Sequence, residues 1–153
     1  MFIATTAPVD TYATVPDQPR EALNDLSTVL ADTIEGYAVM TDKAEPTVQP
    51  VVRRFLALHQ THAARLRELC AEQGGDPEDA GSVMGAVHKA MAHTRDALGR
   101  LDERAEDTIL RIEARVMERY RNALDALEGH PVIQSVIAVQ HLTLREHVAA
   151  LKY

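Results

Sequence analysis

The stretch VRRFLALHQTHAARLREL, residues 52–69, decides the fold of this chain. It places a side chain on a common face at every third or fourth position, the spacing of a helix packed in a bundle. The members of this face are Val52, Phe55, His59, His62, Leu66 and Leu69. Four are apolar, but two histidines stand at the centre, where a bundle usually carries leucine. Because a buried imidazole needs a hydrogen bond or a metal ion, the stretch predicts a bundle with a polar site inside it.

The same spacing recurs in three further segments. The first runs over Leu23, Leu26, Leu30, Thr33, Tyr37, Met40 and Ala44. The third runs over Ile109, Glu113, Val116, Tyr120, Ala123 and Leu127, and the last over Ile133, Ile137, Gln140, Leu144, His147 and Leu151. Each of the two later stripes therefore carries one ionisable residue, Glu113 or His147, at a position that faces the core.

Turn signals divide these segments into two pairs. Short connections at 45–47 and 129–131 predict two antiparallel hairpins. The stretch between the hairpins is longer, and residues 82–99 within it have amphipathic helical spacing. Such a long connection is what a ferritin-like topology requires. We therefore predict an all-α, ferritin-like four-helix bundle of two antiparallel hairpins with a helical crossover, formed by residues 17–153. Residues 1–16 lack a helical period and predict an irregular N-terminal arm.

Composition excludes several classes of protein. The net charge is −7 and the pI is near 5.4, which disfavours nonspecific nucleic-acid binding, because such binding needs a basic face. No apolar run is long enough to predict a membrane span, and the N-terminus has no secretory-signal pattern. The single cysteine, Cys70, cannot form an internal disulfide. We expect a cytoplasmic protein that binds neither membranes nor nucleic acids.

The four ionisable stripe residues form one layer in each hairpin. Glu113 lies 16 residues before Gly129 and His147 lies 18 after it, so the two should face each other. His59 and His62 are one helical turn apart on the first hairpin. Whether the two layers meet depends on how the hairpins are staggered, which the sequence does not determine.

With these residues in place, the chain resembles the ferritin-like four-helix bundles. Their pattern is Glu on the first and third helices and Glu-x-x-His on the second and fourth. His59-Gln60-Thr61-His62-Ala63 matches the second-helix motif with His59 in place of Glu, and Glu113 and His147 match ligands of the third and fourth helices. Leu30 and Leu144 stand where two further carboxylates belong. The resemblance therefore implies a reduced ligand set, in which carboxylates that bridge two irons are missing.

A narrower resemblance covers the chain from residue 22 to its end. It is carried by Leu23-Asn24-Asp25-Leu26, Asp32 with Gly36-Tyr37, Gly74-Gly75-Asp76-Pro77, Gly81-Ser82, Gly85 with His88, and Ile109-Leu110. Together these look like an uncharacterised bacterial family of the ferritin-like group, which has no established activity.

Two hypotheses of function follow. In the first, His62, Glu113 and His147, with His59 as an optional further ligand, bind one metal ion, either iron or zinc. This hypothesis assigns no enzymatic reaction to the protein. In the second, the same residues form a buried hydrogen-bonded network and no metal is bound. The protein would then be a non-catalytic bundle that acts through oligomerisation or through an unknown protein partner. Under either hypothesis we expect a homo-oligomer, with a dimer as the simplest form.

Overall fold

The computed structural model describes residues 17–72 and 105–151. This part of the chain forms four α-helices: α1 Asp17–Lys43, α2 Gln49–Glu72, α3 Ala105–Ala126 and α4 Pro131–Leu151. The predicted N-terminal arm and the predicted helical crossover at 82–99 lie outside the described residues. The prediction of an all-α four-helix bundle is confirmed.

The helix ends follow from local chemistry. Between α1 and α2, the carbonyl of Glu45 accepts hydrogen bonds from the amides of Val48 and Gln49, at 2.9 and 3.0 Å, and this starts the second helix. After α3, Gly129 has a φ of +89°, a conformation that a residue with a Cβ rarely adopts. Pro131 begins α4, where its missing N–H removes no helical hydrogen bond. Both connections are short, so each joins antiparallel neighbours.

The helices form a square in which α1 packs on α2 and α3, and α4 packs on α3 and least on α2. Phe55 of α2 lies beside His147 of α4, and the carbonyl of His62 accepts a hydrogen bond from Gln140. These pairs show that α2 and α4 are antiparallel. Because α3 and α4 are also antiparallel, α2 and α3 run in the same direction across the diagonal. The end of α2 and the start of α3 therefore lie at opposite ends of the bundle, as in a ferritin-like topology.

The core consists of the predicted stripes. Almost every predicted position is buried; Ala44, His147 and Leu151 are only partly buried. On α4, Val148 is 8% exposed and takes the core position next to His147. None of the helices in the described ranges is both long enough and apolar enough to cross a membrane.

Candidate functional site

The polar residues of the core lie on all four helices. In the described part of the chain, the buried polar side chains are Thr33, His59, His62, Glu113 and Gln140. The hydroxyl of Thr33 donates to the carbonyl of Val29 in its own helix, which satisfies it locally. The other four make contacts between helices. They form two adjacent layers, one built on Glu113 and the other on His62.

The first layer joins His59 of α2 to Glu113 of α3. Nε2 of His59 lies 3.0 Å from Oε1 and 3.1 Å from Oε2 of the carboxylate, and both side chains are fully buried. A carboxylate can only accept, so Nε2–H is the donor. The other ring nitrogen, Nδ1, is enclosed and has no hydrogen-bond partner within the described ranges. The diagonal contact thus leaves one buried imidazole nitrogen unsatisfied.

Tyr37 completes the first layer from α1. Its hydroxyl donates a short hydrogen bond to Oε1 of Glu113, and its ring stacks on those of His59 and Phe55, with centroids 5.8 and 5.9 Å apart. Burial raises the pKa of Tyr37 far above its ordinary value, and the charge and hydrogen bond of Glu113 raise it further. Tyr37 therefore remains a proton donor. Glu113 accepts from two side chains, one on each helix that faces it.

The second layer is a closed ring of three hydrogen bonds. The hydroxyl of Tyr120 donates to Oε1 of Gln140 at 3.2 Å, and Nε2 of Gln140 donates to the carbonyl of His62 at 3.1 Å. Nδ1 of His62 lies 3.1 Å from the Tyr120 hydroxyl. Since the single proton of Tyr120 is directed to Gln140, Nδ1–H of His62 is the donor. Nε2 of His62 is then the ring nitrogen with a lone pair.

The electrostatics keep the second layer uncharged. Burial lowers the pKa of His62 to about 4, with further lowering by the nearby imidazoles of His59 and His147. Burial also raises the pKa of Tyr120, as does the charge of Glu113. At neutral pH the layer is therefore a neutral imidazole bonded to a neutral phenol.

His147 lies outside both layers. Its Nδ1 is 2.9 Å from the carbonyl of Thr143, one turn earlier in α4, so Nδ1–H donates to its own helix. Its ring meets Phe55 edge-on, with centroids 6.2 Å apart. The sequence predicted that Glu113 and His147 face each other across the second hairpin. In the structure Glu113 is instead hydrogen-bonded to His59 and Tyr37.

The structure thus brings together two of the four predicted site residues. His59 and Glu113 are in direct contact, His62 lies in the adjacent layer, and His147 lies at the side. Within residues 17–72 and 105–151, no three His, Cys, Asp or Glu side chains are grouped so that they could hold a metal ion. Leu30 and Leu144, at the two missing carboxylate positions, are fully buried in the apolar core.

Sequence reasoning missed three participants: Tyr37, Tyr120 and Gln140. All three were predicted on the core faces, so their burial was expected, but no role was assigned to their polar groups. The signal was available, because each carries a hydrogen-bonding group into a core that must satisfy it. Their partners depend on which side chains share a level of the bundle.

A groove opens beside the second layer, between α2 and α4. It encloses about 370 Å³ and is lined by Thr61, His62, Val136, Val139, Gln140 and Thr143, among others. The groove lies at this position because α4 packs less extensively against α2 than against α3. His62 is 6% exposed and connects the core to this groove.

Comparison with known proteins places the chain in a family. The family described as a domain of unknown function, DUF2383, matches residues 18–126, more than two thirds of the chain. The match covers α1 except its first residue, all of α2 and all of α3, and so includes His59, His62 and Glu113. No curated protein and no solved structure matches the chain.

Proposed function

The chain belongs to the DUF2383 family, and from this premise and the core geometry we propose that it is a non-catalytic four-helix bundle that acts by binding a protein partner. In this proposal the polar centre is structural. It determines how the two hairpins are aligned, and the outer face of α4 binds the partner.

The observation that carries the proposal is that Glu113 accepts hydrogen bonds from two buried side chains on two other helices. Both carboxylate oxygens lie within 3.1 Å of His59 Nε2, and Tyr37 donates to one of them. Each partner comes from a different helix, so the carboxylate links α1, α2 and α3. Buried polar networks of this kind favour one alignment of helices over others, because a shift would leave a buried charge without donors.

The outer face of α4 supplies a surface for binding. In the described part of the chain, the exposed large apolar side chains are Val132, Val139 and Leu142, which are 63%, 64% and 55% exposed, and all lie on α4. Single exposed apolar residues are ordinary, but a group on one face of one helix is typical of an interaction site.

The proposal is tested by metal content and stability together. Purified, tag-free protein would be incubated with Fe(II) or Zn(II), desalted, and analysed by mass spectrometry. We expect no stoichiometric metal, and we expect His59→Ala and Glu113→Ala to lower stability. His130→Ala, at a partly buried histidine in the α3–α4 turn, is the matched control. Near-stoichiometric metal that both core variants abolish and the control retains would overturn the proposal.

A second candidate function is the binding of one metal ion, and the lone Nδ1 of His59 favours it. This nitrogen is buried and has no hydrogen-bond partner among the described residues, and a metal ion would satisfy it. His62 and His147 each have one ring nitrogen held by a hydrogen bond, the arrangement that commonly orients histidine ligands.

The fit of such an ion is incomplete, since the side chains that would hold it do not converge in the described residues. The imidazoles of His59, His62 and His147 would be the ligands, Glu113 would orient His59 through its Nε2–H, and an ion of iron or zinc would supply Lewis acidity. In this case His62→Ala would also abolish metal retention. That outcome separates the second candidate from the first, in which His62→Ala changes stability alone.

A further inference from the structure

The groove between α2 and α4 receives one open hydrogen-bond acceptor from the core. His62 lines this groove and is only 6% exposed. Its Nδ1–H is directed to Tyr120 inside the bundle, so the lone pair is on Nε2, at the other side of the ring. Nε2 has no hydrogen-bond partner among the described residues and, unlike Nδ1 of His59, is not enclosed by protein. An almost completely buried side chain therefore presents an acceptor to the groove.

Gln140 presents a donor at the same level of the groove. Its Nε2 gives one N–H to the carbonyl of His62, at 3.1 Å, and the described residues supply no acceptor for the second N–H. Gln140 also lines the groove and is 5% exposed. An acceptor and a donor side by side match a hydroxyl group, because a hydroxyl donates through its hydrogen and accepts through its oxygen.

Arg65 supplies the charge of the groove. It lies one turn after His62 in α2, about 5 Å along the helix, and lines the same wall. Its ion pair with Glu68, at 3.4 Å, joins side chains that are 42% and 65% exposed, and such a pair is weak. A guanidinium has five N–H donors, so this pair uses only part of it. No acidic residue is among the described residues that line the groove, which favours an anionic group beside Arg65.

An apolar wall lies between the polar and the charged ends. Because α2 and α4 are antiparallel, residues that precede Gln140 in α4 lie towards the Arg65 end of the groove. Val136 and Val139 are two such residues, and both line the groove. A molecule that reaches from Gln140 to Arg65 therefore crosses the methyl groups of the two valines.

We propose that this groove binds a small hydroxycarboxylate with an apolar body. The hydroxyl lies between His62 and Gln140, and the carboxylate binds Arg65. The body packs on the two valines of the apolar wall. The groove volume of about 370 Å³ is at the low end for small-molecule sites, which suits a molecule with a single ring. The inference goes beyond the proposed function, which would stand even if no such ligand bound.

The first test is isothermal titration calorimetry with the three isomers of hydroxybenzoate. EDTA is present throughout, so that no metal ion takes part. We expect at least one isomer to bind with a dissociation constant of about 1 mM or below. Benzoate lacks the hydroxyl and should bind that site about fivefold more weakly. If none of the three isomers binds, or if benzoate binds equally well, the inference is wrong.

The second test removes the charge at the exposed end of the groove, where a substitution leaves the core intact. Arg65→Gln should weaken binding of the same isomer by about tenfold, because a charge-assisted hydrogen bond is lost. Arg67→Gln is the matched control: it removes the same charge from an exposed position of the same helix that does not line the groove. Circular dichroism would confirm that both variants are folded. Equal affinities of the two variants would overturn the placement of the carboxylate.

The third test observes His62 directly. Long-range ¹H–¹⁵N spectra of the imidazole rings report hydrogen bonding at each ring nitrogen. The bound hydroxybenzoate should shift the Nε2 signal of His62, whereas benzoate should leave it nearly unchanged. Binding that leaves this signal in place would show that the ligand occupies another site, and would overturn the inference.

Discussion

Nε2 of His59 lies 3.0 Å from Oε1 and 3.1 Å from Oε2 of Glu113, although the two residues are on helices that face each other across the diagonal of the bundle. A contact across the diagonal ties together two hairpins that otherwise meet through their neighbouring faces. The pair therefore fixes both the axial stagger and the rotation of the hairpins.

Glu113→Ala should be strongly destabilising. The change leaves the buried donors of His59 and Tyr37 without an acceptor, and breaking a buried pair in this way costs about 3–5 kcal/mol. Urea denaturation would measure the loss. Glu118→Ala, at an exposed site in the same helix, is the control and should change stability by less than about 0.5 kcal/mol. Equal effects of the two substitutions would contradict a structural role for Glu113.

Replacing all three residues of the first layer with apolar residues should lower the free energy of unfolding by less than the sum of the losses from the three single substitutions. In a variant with His59→Leu, Glu113→Leu and Tyr37→Phe, no buried donor of this layer is left unpaired. Networks replaced by apolar groups of similar size are often close to neutral. We expect the triple variant to be more stable than Glu113→Leu alone. A strictly additive loss in denaturation experiments would show that the three residues are not coupled.

The stability should fall in mild acid because of His62. Its pKa is lowered to about 4 in the folded chain from the ordinary value of 6.5, so the unfolded chain binds more protons between these values. The contribution of His62 to the free energy of unfolding is therefore completely present above pH 6.5. It declines as the pH falls towards 4, by at most about 3 kcal/mol. Urea denaturation from pH 7 to pH 4.5 would measure this slope. His62→Gln should flatten it; an unchanged slope in that variant would assign the effect to other groups.

The buried tyrosines should resist ionisation while the chain is folded. Burial and the charge of Glu113 raise the pKa of both Tyr37 and Tyr120 above the ordinary value. Tyrosinate absorbance in an alkaline titration should therefore show a late component that coincides with loss of helical circular dichroism. Tyr37→Phe with Tyr120→Phe should remove that component. If these residues titrate near pH 10 in the folded chain, the phenols are not enclosed as described.

The core faces of the helices were predictable from the sequence, and the pairing of their polar groups was not. Tyr120 and Gln140 were both assigned to core faces, yet their hydrogen bonds to His62 follow from the height at which the second hairpin sits. His147 was assigned to the core by its spacing, but in the structure the core position belongs to Val148, and His147 is only partly buried. Spacing alone defines a face to within about one residue, which is too coarse to identify a ligand.

The sequence by itself determined the four helices, the turns that pair them, and the fact that ionisable side chains face the core, because helical periodicity and turn chemistry are local properties. Only the tertiary structure decided that His59 meets Glu113, that His62 meets Tyr120, and that three large apolar side chains on the outer face of α4 are exposed. The physical reason is that the sliding and rotation of one helix against another depend on the packing of many side chains at once. A displacement of one hairpin by a single turn, about 5 Å, would break each polar contact between the two hairpins.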